Sequence, residues 1–115
     1  MSRAGVQGVI VAASGLFYQG KAFLAKLASA HRLPINVWAR EVMLPGVFMC
    51  YGPSMAGIVR RAPTYVDRIL KGAKPSELPV EQPTRLDLLI NLEVARTLNI
   101  DVPPALIGRA DEVIE

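Results

Sequence analysis

The chain has 115 residues, of which 51% are hydrophobic and 20% charged, and its net charge is +3. This composition excludes a disordered chain, and the length allows one hydrophobic core at most. The basic residues are scattered, so that only His31-Arg32 and Arg60-Arg61 are adjacent. Because a surface that follows nucleic-acid phosphates needs a clustered basic stripe, we expect one modest domain, or part of a larger one, that does not bind nucleic acid.

The first third of the chain predicts a β-α-β unit. Residues 8–14 form a short apolar run with β-branched side chains, which is typical of a parallel strand covered on both faces. Residues 16–31 place their apolar side chains on one helical stripe, and residues 35–38 form a second strand. In open parallel sheets ligands bind beyond the carboxyl ends of the strands, so Ser14 and Trp38 are candidate ligand contacts.

A third strand is expected at residues 47–51, followed by a helix that Ser54 caps. The apolar residues of that helix recur at three- and four-residue steps between Met55 and Leu70, which predicts a stripe facing the core. Pro63 lies inside the pattern and predicts either a kink or a helix that restarts there. The fold class is therefore α/β, with an open, mainly parallel sheet flanked by helices.

The last third begins with a long connector, residues 72–85, stiffened by three prolines. It leads to an apolar strand at residues 86–90, and a crossing of this length indicates a chain that travels between two bodies. Asn91 is expected to cap a short helix, with Asn99 in the left-handed conformation at its end. We expect a last helical turn or two at residues 105–110 and an exposed acidic tail.

Nothing in the residue pattern predicts catalysis. The single cysteine, Cys50, sits in an apolar run and excludes an intrachain disulfide, and the single histidine, His31, gives no Cys-His pair. No phosphate-cradling glycine motif follows a strand, and no metal-ligand cluster is present. The carboxylates, Asp87 among them, are expected to be solvated. We therefore expect no catalytic residue, no metal site and no cofactor.

No apolar run in the sequence is long enough to span a bilayer. The first residues lack the charged, apolar and small-residue succession of a secretory signal. From the residues alone, we expect the chain to stay in the cytoplasm.

Several motifs carry a family resemblance. From Tyr51 to Glu115 the segments YGPS, ILKGAKP, LPVEQPT, LLIN and PPALIGRADEVIE follow one another in order. This series resembles the C-terminal end of the substrate-binding proteins of ABC transporters, in the family that includes the tryptophan/tyrosine type. Residues 8–46 are similar to that family in pattern. Two positions depart from it: Cys50 stands where the family usually has a small hydroxyl residue, and Pro63 where alanine is common.

The resemblance implies a two-lobed, type-I periplasmic-binding fold that holds a small organic solute or amino acid between its lobes and delivers it to an ABC permease. Residues 1–46 would then resemble part of one lobe, and residues 47–115 the hinge-crossing and C-terminal part. Gly52 and Asn91 would lie at the hinge, and Tyr51 joins Ser14 and Trp38 as a tentative ligand contact. Full-length relatives of this kind work in the periplasm or elsewhere outside the cytoplasm.

The chain corresponds to about the last third of such a protein, since each lobe has ordinary domain size. We therefore expect a partial unit that is incomplete as a binder, and a homodimer or higher assembly in which a second copy covers the exposed apolar edges. Two other classes stay open, because a fold alone does not determine function. One is a stand-alone homo-oligomeric interaction protein that reuses the fold, and the other a small flavodoxin-like or hydrolytic enzyme.

Overall fold

The computed structural model describes residues 5–115. Within them, one sheet has the strand order β1-β2-β3-β4-β5. Strands β1, β2 and β3 are parallel, β4 is antiparallel to β3, and β5 is parallel to β4. The α/β class with a mainly parallel sheet is confirmed. The strands are Val9–Ile10 (β1), Ile35–Val37 (β2), Met49–Pro53 (β3), Leu86–Asn91 (β4) and Glu112–Ile114 (β5).

The sheet has a hydrophobic core on each face. In the described part of the chain the five α-helices are Gly15–Gln19 (α1), Lys21–Ala30 (α2), Met55–Leu70 (α3), Leu92–Leu98 (α4) and Pro104–Ile107 (α5). One core joins α1 and α2 to the sheet through Val37, Cys50 and Leu89. The other lies under α4 and α5 and includes Ile90 and Ala95. Leu89 and Ile90 belong to different cores because successive side chains of a strand point to opposite faces.

The caps expected from the sequence are present. The Ser54 Oγ accepts a hydrogen bond from the Gly57 amide at 3.4 Å, and the Asn91 Oδ1 accepts one from the Val94 amide at 3.0 Å. Asn99 ends α4 in the left-handed conformation, with φ 56°. Hydrogen bonds of the Ser54 and Asn91 side chains therefore set where α3 and α4 begin, and the left-handed backbone of Asn99 sets where α4 ends.

Several predicted elements differ in the structure. The first strand, expected at residues 8–14 with both faces covered, is limited to Val9–Ile10, and Ile10 is 82% exposed. The helix expected at residues 16–31 is divided into α1 and α2 at Gly20, whose amide donates to the Leu16 carbonyl at 3.0 Å and closes the first of them. The last helix ends at Ile107 instead of continuing to residue 110. The acidic residues of the tail, Asp111, Glu112 and Glu115, are exposed as expected, but residues 112–114 also form a strand, β5, which the sequence did not predict.

Helix α3 contradicts the predicted core-facing stripe. It runs without interruption through Pro63, so the expected restart is wrong, and within residues 5–115 nothing buries any of its side chains. The physical reason is topological: the chain leaves the sheet after Pro53 and re-enters it at Leu86. Helix α3 and the connector, residues 54–85, form an arm that extends a molecule measuring 56 × 31 × 21 Å. No helix in the described part of the chain has the length and apolar character needed to cross a bilayer.

Candidate functional site

One edge of the sheet collects the ends of all five strands. The carboxyl ends of β1, β2 and β3 meet the amino ends of β4 and β5 there, because β4 runs antiparallel to β3. We call it the carboxyl edge. In open α/β sheets the loops at such an edge surround the ligand. The carboxyl edge is therefore the candidate binding site.

The three predicted ligand contacts lie at the carboxyl edge, on different surfaces. Ser14 is exposed, and its hydroxyl caps α1 by accepting from the Leu16 amide at 3.2 Å. Trp38 is half-buried and packs against the core under α1 and α2. Tyr51 is 52% exposed, and it points to the opposite face, because its neighbour Cys50 belongs to that core. Their roles as ligand contacts stay predictions.

The two predicted hinge residues lie in or beside the β3–β4 ladder. Gly52 pairs with Asp87 near the carboxyl edge, while Asn91 ends β4 at the other side of the sheet. Both residues are buried. Asn91 also joins three elements, since its amide donates to the Phe48 carbonyl at 2.9 Å and its side chain caps α4. Their hinge role stays a prediction.

The carboxyl edge carries a group of charged side chains, and the residue pattern did not predict this group. We call it the edge cluster: Arg40, Arg85, Asp87, Asp111 and Glu112. Arg40 forms an ion pair with Glu112. The Arg85 Nε lies 3.5 Å from an oxygen of Asp87, and the Arg85 Nη2 lies 3.9 Å from one of Asp111. The expectation that Asp87 is solvated was wrong, because it is only 8% exposed.

The backbone holds the edge cluster in place. The Asp111 Oδ2 accepts from the Leu88 amide at 2.9 Å, and the Asp111 amide donates to the Leu88 carbonyl at 2.8 Å. These two bonds join the start of β5 to β4. The hydrogen bond to Glu112 raises the pKa of Arg40 above its ordinary value, so the guanidinium stays charged. The carboxyl edge thus carries fixed positive and negative charges, and one of them, Arg40, follows Trp38 closely in the chain.

Cys50 lies beneath this edge, in the core. It is fully buried, as expected, and burial raises the pKa of its thiol to about 11, with the charge of Asp87 acting in the same direction. A neutral, buried thiol is a weak nucleophile. Among residues 5–115, no three His, Cys, Asp or Glu side chains converge in a way that could hold a metal ion.

A concavity lies in the arm, away from the carboxyl edge. Between α3 and the connector runs a groove of about 740 Å³, which we call the arm groove. The Tyr65 hydroxyl donates to the Pro79 carbonyl at 3.0 Å, and Arg61 pairs with Glu81, so these contacts hold the connector against the helix. Partial burial, and then the charge of Glu81, raise the pKa of Tyr65. Most of the groove wall is apolar, with Ile58, Val66, Ile69, Leu78 and Val80 among its residues.

The sheet is open and mainly parallel, and its charged and aromatic residues lie at the carboxyl edge, where α/β proteins of this architecture bind ligands. The chain belongs to the family described as ABC transporter substrate binding protein, whose model it matches over residues 2–114. This family is a substrate-binding family of transport systems. The resemblance carried by the sequence motifs is thus confirmed.

Solved structures show the same fold. A conserved domain protein from Vibrio cholerae O1 biovar El Tor matches with a TM-score of 0.87 and 23% identity, over 95% of this chain and 37% of that one. An ABC domain in complex with L-Trp from Streptococcus pneumoniae matches with 0.86 and 21% identity, over 98% of this chain and 39% of that one.

A third structure is the ligand-free, open form of a substrate binding protein with adhesive properties from Clostridium difficile. It matches with a TM-score of 0.61 and 17% identity, over 92% of this chain and 35% of that one. The chain therefore spans less than two fifths of the length of each of these structures. No curated protein matches the sequence.

Proposed function

We propose that this chain is part of the solute-binding component of an ABC-type importer, and that the carboxyl edge contacts a small organic solute, with α-amino acids as the leading class. The observation that carries the proposal is the edge cluster, in a chain that belongs to this family. An amino acid is a zwitterion, and the cluster offers Asp87 for its ammonium group and Arg40 or Arg85 for its carboxylate. The half-buried Trp38 offers aromatic surface for its side chain.

The proposed mechanism is capture by closure. A solute that contacts two bodies at once stabilises the closed arrangement by the contacts it makes to both. This chain supplies one side of such a site, so on its own we expect it to bind weakly. The loaded protein would deliver its solute to a membrane permease, and it would work outside the cytoplasm, where an importer meets its solute. We propose no catalytic activity, since Cys50 is neutral and buried.

The experiment is a titration of the isotope-labelled chain with L-tryptophan, which is the molecule bound in the Streptococcus structure, followed by amide NMR. We expect shifts confined to the carboxyl edge, at residues 38–40, 51–52 and 86–87. Replacing Asp87 by Asn should abolish them, because the ammonium group loses its charged partner. Tyr18→Ala is the matched control, since Tyr18 is an exposed aromatic residue of α1.

The solute should be taken to about 10 mM, so that a dissociation constant of about 1 mM would still give nearly full occupancy. Shifts at the arm, or none anywhere at this concentration with any of the twenty amino acids, contradict the proposal for this chain.

A second candidate function is a stand-alone homo-oligomeric interaction protein that reuses the fold. One specific observation favours it: α3 presents an apolar face that the described chain leaves uncovered. A second copy would cover this face in a homodimer. Under this alternative the chain forms a stable assembly and shows no response to amino acids at the carboxyl edge.

A further inference from the structure

The two arginines of the edge cluster are held differently. Arg40 makes a direct, hydrogen-bonded ion pair with Glu112. The Arg85 Nε lies 3.5 Å from a carboxylate oxygen of Asp87, and its Nη2 lies 3.9 Å from one of Asp111. Both distances exceed the range of about 2.7–3.2 Å that is usual for an N–H···O hydrogen bond. Arg85 is therefore the arginine whose guanidinium is free to turn to another partner.

The two members of the Arg85–Asp87 pair differ in burial. The side chain of Arg85 is 72% exposed, whereas that of Asp87 is only 11% exposed. A nearly buried carboxylate needs a close cationic partner, because its charge has lost most of its contact with water. The Arg85 guanidinium supplies that charge only at long range, and an exposed arginine loses side-chain freedom by staying in one place. A smaller cation that donates directly to Asp87 would therefore replace it.

The backbone at Arg85 is fixed, so that only the side chain has to move. The Ser54 amide donates to the Arg85 carbonyl at 3.1 Å, and β4 begins at the next residue. Side chains two residues apart in an extended chain point to the same face, so Arg85 and Asp87 face the same side. An α-amino acid carries its ammonium and its carboxylate on one carbon atom. A solute whose ammonium contacts Asp87 therefore presents its carboxylate beside Arg85.

The charge balance of the edge cluster determines which group of the solute it attracts. The cluster contains three carboxylates and two guanidiniums, so its net charge is negative. A solute that carries only a carboxylate meets net repulsion there, whereas an ammonium group is attracted. The carboxylate gains a partner only after the ammonium has freed the Arg85 guanidinium from Asp87.

We propose that Arg85 is the specificity-determining residue of the carboxyl edge. It pairs with Asp87 in the free chain, and it turns to the carboxylate of an α-amino acid once the solute ammonium has taken its place at Asp87. The exchange rests on the solute binding proposed above, and it assigns the carboxylate to Arg85 rather than to Arg40. Every charge stays paired, and the planar guanidinium can bind a carboxylate through two parallel hydrogen bonds. The edge therefore selects α-amino acids over amines and over acids that have the same side chain.

Three compounds that share the indole group test this selection by amide NMR of the labelled full chain. L-Tryptophan has both charged groups, tryptamine has the ammonium alone, and indole-3-propionate has the carboxylate alone. For the wild type we expect L-tryptophan to bind most tightly and tryptamine more weakly, and indole-3-propionate should give no shifts at the carboxyl edge. Should another of the twenty amino acids bind more tightly, its own amine and acid replace the indole compounds.

The variant Arg85→Gln should change two of these affinities in opposite directions. L-Tryptophan should bind about tenfold more weakly, because its carboxylate loses a charged hydrogen-bond partner. Tryptamine should bind several-fold more tightly, because no guanidinium competes for Asp87. Arg85→Lys should recover part of the L-tryptophan affinity, since it keeps the charge without the planar fork. Arg60→Gln is the matched control: it removes the same charge at an exposed position of α3 and should change neither affinity.

Equal weakening of L-tryptophan and tryptamine by Arg85→Gln would overturn the exchange, because a merely structural role gives that result. Loss of L-tryptophan binding in Arg40→Gln but not in Arg85→Gln would overturn it as well, and so would wild-type binding of indole-3-propionate as tight as that of L-tryptophan. In each of these cases the solute-binding proposal stands. A wild type that responds to no amino acid at the carboxyl edge overturns both.

Discussion

Gly52 and Trp38 are in such close contact that a Cβ at Gly52 would lie 1.9 Å from the carbonyl oxygen of Trp38. This contact joins β3 to the segment that follows β2, at the point where Gly52 also pairs with Asp87. Only a residue without a side chain allows the two backbones to approach this far. Gly52 therefore holds the carboxyl edge together, whatever part it plays in a hinge.

Gly52→Ala should destabilise the fold by about 3 kcal/mol, because the added methyl group must displace backbone instead of a flexible side chain. The measurement is the free energy of unfolding in urea. Gly57→Ala is the matched control: its Cβ would meet Ser54 at an ordinary distance of 3.5 Å. That variant should be stabilised by about 0.5–1 kcal/mol, since alanine is the better helix former. Equal effects of the two substitutions would refute the role assigned to the Gly52 contact.

The buried thiol predicts a loss of stability in alkaline solution. The pKa of Cys50 is about 11 in the folded chain, against an ordinary value of 9.0. Above pH 9 the unfolded chain releases the thiol proton while the folded chain keeps it, so the free energy of unfolding falls as pH rises. The contribution is fully present below pH 9, and about 2 kcal/mol of it is lost by pH 11.

Urea unfolding at pH 8, 9.5 and 10.5 checks this contribution, with Cys50→Ala as the reference. Tyrosine and lysine side chains titrate in both proteins, so the difference between the two curves isolates the thiol. In addition, the folded protein at pH 8 should resist labelling by a disulfide reagent, and the unfolded protein should react at once. Parallel stability curves would contradict the assigned pKa shift.

The elements that the sequence predicted well are those that local chemistry determines. The side chains of Ser54 and Asn91 accept hydrogen bonds from amides three residues later, and Asn99 adopts the left-handed conformation for local steric reasons. The sequence alone therefore predicts the positions of these helix ends. The mainly parallel sheet was equally predictable, because a helix between two apolar runs leaves few other topologies.

The predictions that failed concern elements whose surroundings depend on distant parts of the chain. The stripe on α3 has the pattern of a core helix, and the pattern does not tell whether the same chain provides the opposite surface. Arg40 and Glu112 form an ion pair across 72 residues, and Asp87 is buried because β4 enters between β3 and β5. The edge cluster is therefore a product of the topology, and no local spacing in the sequence indicates it.

Asp111 should contribute measurably to the last strand. Its carboxylate accepts from the Leu88 amide at 2.9 Å, so Asp111→Ala removes a hydrogen bond of the strand and should cost about 1 kcal/mol. Faster hydrogen exchange at Leu88 is the local measurement. Asp111→Asn keeps an acceptor oxygen and should exchange more slowly than the alanine variant, while Asp101→Ala, at an exposed position, should behave as the wild type. An unchanged Leu88 amide in Asp111→Ala would show that the bond does not hold β5.

The arm should open without unfolding the sheet. The Tyr65 hydroxyl donates to the Pro79 carbonyl at 3.0 Å, and Tyr65→Phe removes this bond. The arm contributes no residue to either core, so losing this hydrogen bond should leave the melting temperature nearly constant. The connector should instead separate from α3 more often. Limited digestion with a glutamate-specific protease should cut after Glu77, an exposed residue of the connector, several-fold faster, with Tyr18→Phe as the control. A lowered melting temperature with unchanged cleavage would mean that the arm unfolds together with the sheet.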